Sequence, residues 1–252
     1  MSASFPWSKP WELFTLRMMG YYGTESTRIR QALHVYRSCK DHANNTTLRR
    51  NLASLPVNSF QTEHQMILVH VWIMHNRLLV EGKPGQQLNH EIFNHMWLNT
   101  ERRMRFGAPD LPEMSFSKNS TEIQKMSFGA MVSYDLGLQI ENDNDHDLAS
   151  ALFRNLWQHQ TNTANEKEVY AMAKWMRREV KRAKREWTFD QVCRNEFKWT
   201  MPKGFSPPTP QDRAESDRLG LTGKYRCELD MRGKPYWWDV DTRQSFWERP
   251  NQ

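Results

Sequence analysis

Between Gln61 and Val80 the apolar residues Ile67, Val71, Met74 and Leu78 recur at steps of four, three and four, which lines them along one side of an α-helix. Gly82, Pro84 and Gly85 then stop it, because glycine frees the backbone and proline cannot continue the hydrogen-bond ladder. A helix this apolar has to be a core element, and it commits the chain to a helical body built around it. It does not commit the chain to a membrane. The longest nearly unbroken apolar run, Met66 to Met74, is interrupted by His70 and falls well short of the roughly 20 residues that a spanning helix needs.

The neighbouring segments carry the same period. Ile29, Leu33, Tyr36 and Leu48 predict one or two helices over residues 27–55, and Ile92, Phe93, Met96 and Trp97 predict another from Gln87 to Phe106, broken at Gly107 to Pro109. Residues 118–138 place Ile123, Met126, Ala130, Tyr134 and Leu138 on one face. Asp143, Asp145 and Asp147 precede the apolar run Leu148 to Trp157, where carboxylates cap a helix N-terminus and suit its dipole. A last long helix spans Asn165 to Trp187, with Met172, Met176, Val180, Ala183 and Trp187 on an apolar stripe and Lys174, Arg178, Lys181 and Arg185 on a basic one.

The chain has 252 residues, 25% charged and 38% hydrophobic, the balance of a folded protein. Three dispersed cysteines, Cys39, Cys193 and Cys227, form no CxxC pair and fit a reducing compartment rather than a disulfide scaffold. The segment Met1 to Gly20 has neither a secretory apolar core nor an Arg-rich transit pattern. Among nine histidines there is no HExxH. The pairs His70/His75 and His90/His95 are five apart, which turns each pair about 140° around its helix, away from a shared metal. Asp143, Asp145, His146 and Asp147 lack the glycine and distal glutamate of a calcium loop. With no GxSxG, no glycine-rich phosphate loop and no activated cysteine, neither an enzyme, a catalytic residue, a metal nor a cofactor is expected.

Charge points instead to binding. The 35 Lys and Arg against 29 Asp and Glu give +6. Lys174, Arg177, Arg178, Lys181, Arg182, Lys184 and Arg185, opposed only by Glu179 and Glu186, form a basic helix suited to RNA phosphates or anionic lipid headgroups, with a plain solvated face as the competing reading. Trp175 and Trp187 are candidates for stacking on bases, although the spacing of Trp187 favours the core.

Residues 201–220 change character, with Pro202, Gly204, Pro207, Pro208 and Pro210 ahead of a polar run, and read as a linker. Beyond Gly223, strand-favouring residues alternate with turn signals at Arg232-Gly233 and Asp241-Thr242, which predicts three short antiparallel strands. The series Gly233-Lys234-Pro235-Tyr236-Trp237-Trp238-Asp239, Thr242, Trp247 and Pro250 resembles a WW domain, a module that binds proline-rich segments. The resemblance implies that Trp237 and Pro250 hold its small core and that Tyr236 and Trp247 form a groove for a proline ring. It departs from the pattern at Tyr225, in place of the first tryptophan, and at Val240, in place of a histidine. The run Ser206-Pro207-Pro208-Thr209-Pro210 is either an internal ligand or an extended spacer.

The helical part carries a distributed pattern: Ile29-Arg30 to Tyr36-Arg37-Ser38-Cys39, His70-Val71-Trp72 with Arg77-Leu78 and Glu81-Gly82-Lys83, His95-Met96-Trp97 to Arg105, Gly129, Tyr134-Asp135-Leu136-Gly137, and Asp147 to Arg154 with Trp157. In this order and spacing it resembles the ubiquinol-cytochrome c chaperone family. The resemblance implies a mainly α, non-enzymatic assembly factor of the mitochondrial matrix, peripheral to the inner membrane or ribosome-associated. Its expected partners are nascent cytochrome b or another hydrophobic client, a small partner assembly factor, and the protein and rRNA of the mitochondrial ribosome. A proline-rich segment is a further expected partner of the WW-like module. The expected layout is a lead-in over 1–26, a multi-helix chaperone-like domain over 27–200, the linker over 201–220, and the three-stranded WW-like module over 221–252. Grooves walled by the 61–80 and 87–106 segments are the expected cover for a client. The rival reading is a structural component of the mitochondrial ribosome that reuses the fold; a proline-motif adaptor ranks third.

Overall fold

Helix formation begins where the sequence supplies caps and one-sided apolar spacing. The computed structural model describes residues 23–56, 59–139, 145–159, 164–219, 224–230, 232–242 and 244–250. Its helices are α1 (Thr24–Ala43), α2 (Thr46–Asn51), α3 (Phe60–Leu78), α4 (Lys83–Gly107), α5 (Glu113–Gln139), α6 (His146–Asn155), α7 (Glu166–Glu186), α8 (Phe189–Cys193) and α9 (Pro210–Arg218). A small sheet follows: β1 (Tyr225–Leu229), β2 (Pro235–Asp239) and β3 (Ser245–Phe246), antiparallel in the order β1-β2-β3. The expected fold class is what the structure shows: a mainly α body followed by a three-stranded antiparallel sheet.

Helix α3 is the axis. Ser59 caps it, its side chain accepting from the Thr62 N–H. Its end is set by Gly82 at φ +63°, after a short 3-10 turn over Leu79–Glu81. Pro84 then enters the first turn of α4, where its missing N–H costs nothing. At Gly85 the two helices meet so closely that a Cβ would stand 2.1 Å from the Leu78 carbonyl oxygen, so only glycine lets the corner close. Helices α1, α4, α5 and α7 pack around α3, with α6 between α5 and α7.

The burial of α3 extends beyond its apolar stripe. Met66, Leu68, Val69, Trp72 and Ile73 are buried together with His64, Gln65, His70, Asn76 and Arg77. His64, His70, Asn76 and Arg77 reach partners on other elements, as most buried polar groups do, while Gln65 Oε1 has no partner among the described residues. His64 Nε2 meets Ser127 Oγ of α5 at 2.7 Å and its Nδ1 meets Thr100 Oγ1 of α4 at 3.2 Å. Trp72 Nε1 donates to Asp135 at 2.8 Å, and Arg77 Nε donates to the Trp187 carbonyl at 2.6 Å. His70 Nδ1 lies 2.7 Å from the Met66 carbonyl and must donate to it, which leaves Nε2 to accept from His42 Nδ1 of α1 at 2.8 Å.

The segment read as a linker is laced to the helices. Ser206 N–H donates to Asn51 Oδ1 at 2.8 Å, Arg50 donates to the Pro207 carbonyl at 2.8 Å, and Thr46 Oγ1 donates to the Asp212 carbonyl at 2.7 Å. Pro210 then starts α9, capped by a reciprocal pair between Thr209 and Asp212. The proline run therefore lies on α2. Of the acidic cap expected before α6, Asp143 lies outside the described residues. Asp145 takes the N-cap position, but its carboxylate makes no cap bond and is engaged elsewhere.

Burial holds the His64 imidazole down to about 3 and that of His70 to about 4, and together with His70 it pushes His42 well below the ordinary 6.5. Folded, these rings stay neutral where the unfolded chain takes up protons, so the unfolded state binds more protons below about pH 6.5. Stability is thus full above pH 6.5 and falls as pH drops toward 4, at up to ~1.4 kcal/mol per pH unit for each ring. Urea unfolding at pH 7, 6 and 5 should show this slope. His64→Gln should flatten it by one such increment, whatever its effect at pH 7.

Candidate functional site

The two surfaces singled out by sequence, the basic helix and the aromatic sheet, differ in how much of each is free. Helix α7 starts at Asn165, whose side chain accepts from Lys167 N–H, with Glu166 and Glu168 in its first turn. Val169, Met172, Ala173, Met176, Val180 and Ala183 face the core, which turns the cations outward. Lys174, Arg177, Arg178, Lys181, Arg182 and Arg185, with Asp145, line one groove of about 420 Å³.

These side chains fall into two sets. Arg177 bonds Asp145 at 2.6 Å and the carbonyls of Gly137 and Leu138 at 2.9 and 3.1 Å, so one guanidinium ties the end of α5 and the start of α6 to α7. Arg178 donates to the Met201 carbonyl at 3.0 Å. Arg182 bonds the fully buried Glu179 and the Lys198 carbonyl, and its guanidinium lies 5.1 Å from the Trp187 ring centroid. Lys184 reaches Asn76 at 3.4 Å, and Arg185 pairs with Glu186 at the surface. Lys174 and Lys181 extend from the exposed side of the helix.

Glu179 was legible only as a stray negative charge. In the fold its carboxylate accepts from Arg182 and from both the N–H and the hydroxyl of Thr200, at 3.2 and 2.7 Å. Trp175 Nε1 donates to the Thr200 carbonyl at 2.7 Å, and Trp199 Nε1 donates to Ser38 Oγ at 3.1 Å. The segment after α8 is strapped across α7 by these bonds. Trp175 is fully buried and Trp187 nearly so, which removes both from any stacking role on bases.

In the sheet, Asp230 and Asp239 side chains hold the two turns, Asp239 accepting from the N–H groups of Asp241 and Thr242 at 2.8 and 3.0 Å. The register pairs Cys227 with Trp237 and Trp237 with Phe246, so these share a face with Tyr225, whose ring meets Phe246 edge-on. Tyr236 lies on the opposite face, half-buried, its ring 6.5 Å from that of Trp247. Trp247 is 60% exposed, with the Lys234 ammonium 4.5 Å above its ring.

A third surface was not singled out. On α5, Ser127, Ala130, Tyr134 and Gly137 face inward, while Phe128, Val132 and Leu136, spaced four apart, stand outward; Phe128 is 68% exposed. Most of α3 is buried, but its first residue, Phe60, lines an open groove of about 420 Å³ with Arg103 and Met104 of α4 and Ile123 and Met126 of α5; the large apolar side chains that α4 leaves exposed are Leu98 and Phe106.

A helical body that presents an outward apolar stripe and a cationic groove has the surface of a binding protein. The model of the family described as ubiquinol-cytochrome C chaperone matches residues 57–186, slightly more than half of the chain, and the chain belongs to that family. Over 125 residues it is 30% identical to ubiquinol-cytochrome c reductase complex assembly factor 1 of Mus musculus and 29% identical to that of Homo sapiens. Each match covers 49% of this chain and 39% of the relative, so the chain spans about two fifths of the length of these relatives. The crystal structure of the Cbp3 homolog from Brucella abortus shares the fold, with a TM-score of 0.61 and 12% identity over 75% of this chain and 99% of that one.

Removing a structural cation should differ sharply from removing a free one. Arg177→Ala strands the buried Asp145 carboxylate and should cost about 3 kcal/mol, whereas Lys174→Ala and Lys181→Ala should stay within about 0.5 kcal/mol. Chemical unfolding of the three variants checks this.

Proposed function

We propose that the chain is a non-enzymatic assembly factor for ubiquinol-cytochrome c reductase. In this reading it acts in the mitochondrial matrix, where it holds nascent cytochrome b or a similar hydrophobic client beside the mitochondrial ribosome, together with a small partner assembly factor. Family membership and the names of the mouse and human relatives support the process. The observation that carries the mechanism is the Phe128, Val132 and Leu136 stripe, an apolar surface on the side of α5 that faces away from the body. Covering client surface there removes apolar area from water on both sides. The exposed cations Lys174, Lys181 and Arg185 anchor the protein peripherally to rRNA or to the anionic face of the inner membrane. No described helix is long and apolar enough to cross a membrane, in keeping with such attachment.

The cationic groove also favours a second reading, a ribosomal component that has kept the fold without the client. Affinity purification before and after a high-salt wash separates the two: cytochrome b with salt-labile ribosome supports the assembly factor, and stoichiometric rRNA that survives the wash without cytochrome b supports the component. Two variants test the surfaces. Phe128→Asp with Leu136→Asp should abolish complex III assembly while leaving the thermal midpoint within a few degrees of the parent; full assembly would overturn the client role of the stripe. Lys174→Glu, Lys181→Glu and Arg185→Glu together spare the structural arginines and should release the protein from ribosomes and membranes; unchanged cosedimentation would remove the anchoring role.

A further inference from the structure

The register of the sheet decides which of its faces meets the helical body. Arg226 pairs with Trp238 and Glu228 with Tyr236, and directly opposed residues of antiparallel strands point to the same side. These four therefore share the face of Tyr236, the side on which the resemblance to a WW domain puts a ligand. In this chain α1 stands on that face. Lys40 Nζ donates to Glu228 Oε2 at 2.7 Å, and Arg37 Nε lies 3.3 Å from Glu228 Oε1. Asp41 faces Arg226 at 3.7 Å, and the Arg37 guanidinium lies 5.1 Å from the Trp238 ring centroid. Arg37, Lys40 and Asp41 are three and four residues apart, one stripe of a helix.

Two further contacts fix the sheet at its ends. The β1–β2 turn closes at Gly233, φ +80°, buried against α4; a Cβ there would stand 2.4 Å from the Arg102 carbonyl oxygen and 2.7 Å from the Phe106 nitrogen. At the other end Arg249 pairs with Asp217 of α9 at 2.9 Å. The Lys40 and Glu228 side chains retain only 11% and 15% of their exposure, so their pairing is largely withdrawn from solvent and holds only in this geometry.

We propose that the ligand side of the C-terminal sheet is an internal docking surface whose occupant is helix α1 of the same chain. The charged stripe Arg37, Lys40 and Asp41 takes the place that an extended peptide takes on a free module. Glu228, Arg226 and Trp238 are its reading residues. The Trp247 edge stays open, and the module acts as a clasp over α1. This inference stands apart from the assembly role, since it concerns what the sheet binds and not what the body carries.

Charge exchange tests it in the full chain, read by amide hydrogen exchange of β1 and β2. Lys40→Glu and Glu228→Lys should each speed exchange there on the order of tenfold, while α3 stays protected as an internal control. Combined in an Arg37→Gln background, where no like charge faces the new lysine, the two restore opposite charges across the contact and should bring exchange back to within about threefold of that background. If either single variant also loosens α3, Glu228→Gln supplies the milder break and is read by the same strands. Strand protection unchanged by the single variants, or a double variant as labile as the singles, would overturn the proposal.

Discussion

A helix wrapped on every side has nowhere to send a polar side chain except into a neighbour, and α3 turns that constraint into the organising contact of the body. His70 meets His42 of α1, His64 meets Thr100 of α4 and Ser127 of α5, Trp72 meets Asp135 of α5, and Arg77 meets the backbone at Trp187 where α7 ends. Apolar packing alone would tolerate rotation of one helix over another, since it depends on area rather than direction. Hydrogen bonds from one axis to four surrounding elements do not, because each leaves a buried group unpaired if the register slips.

Much of this could be read from the sequence, and what could not has one cause. The 3.6-residue period located α3, α4 and α7, and the Arg232-Gly233 and Asp241-Thr242 signals located the turns of the sheet, because these features depend on residues a few places apart. The lacing of the 201–219 stretch depends on distant groups. Ser206 finds Asn51 across 155 residues, and nothing near Ser206 announces it. The seven cations of α7 show the same limit. Lys174 and Arg177 read alike as basic positions, yet one is solvated and the other spans three helices, and only the positions of Asp145, Gly137 and Leu138 in space distinguish them. Ile123, Met126, Ala130, Tyr134 and Leu138 read as one face, yet Met126 is exposed and Phe128, Val132 and Leu136 drew no reading, because periodicity reports a face without saying whether anything covers it.

The division of charge has a meaning for the site as a whole. Groups that hold the fold together and groups that face a partner occupy the same helix and share one groove, so the outward cations are presented from a floor that cannot move without breaking α5–α6–α7 contacts. A surface held in this way offers fixed spacing to a polyanion, and fixed spacing lowers the ordering cost of binding.

The contact between Lys40 and Glu228 joins residues 188 apart. A chain emerging from a ribosome completes α1 well before the sheet, so the charged stripe of α1 waits for its partner while the residues between them are made. Closing so long a loop costs little more than closing one half its length, since the entropy grows only with the logarithm of the number of residues. The clasp therefore cannot form until the sheet residues have been made, and a nascent molecule that still lacks them differs at α1 from one that has them.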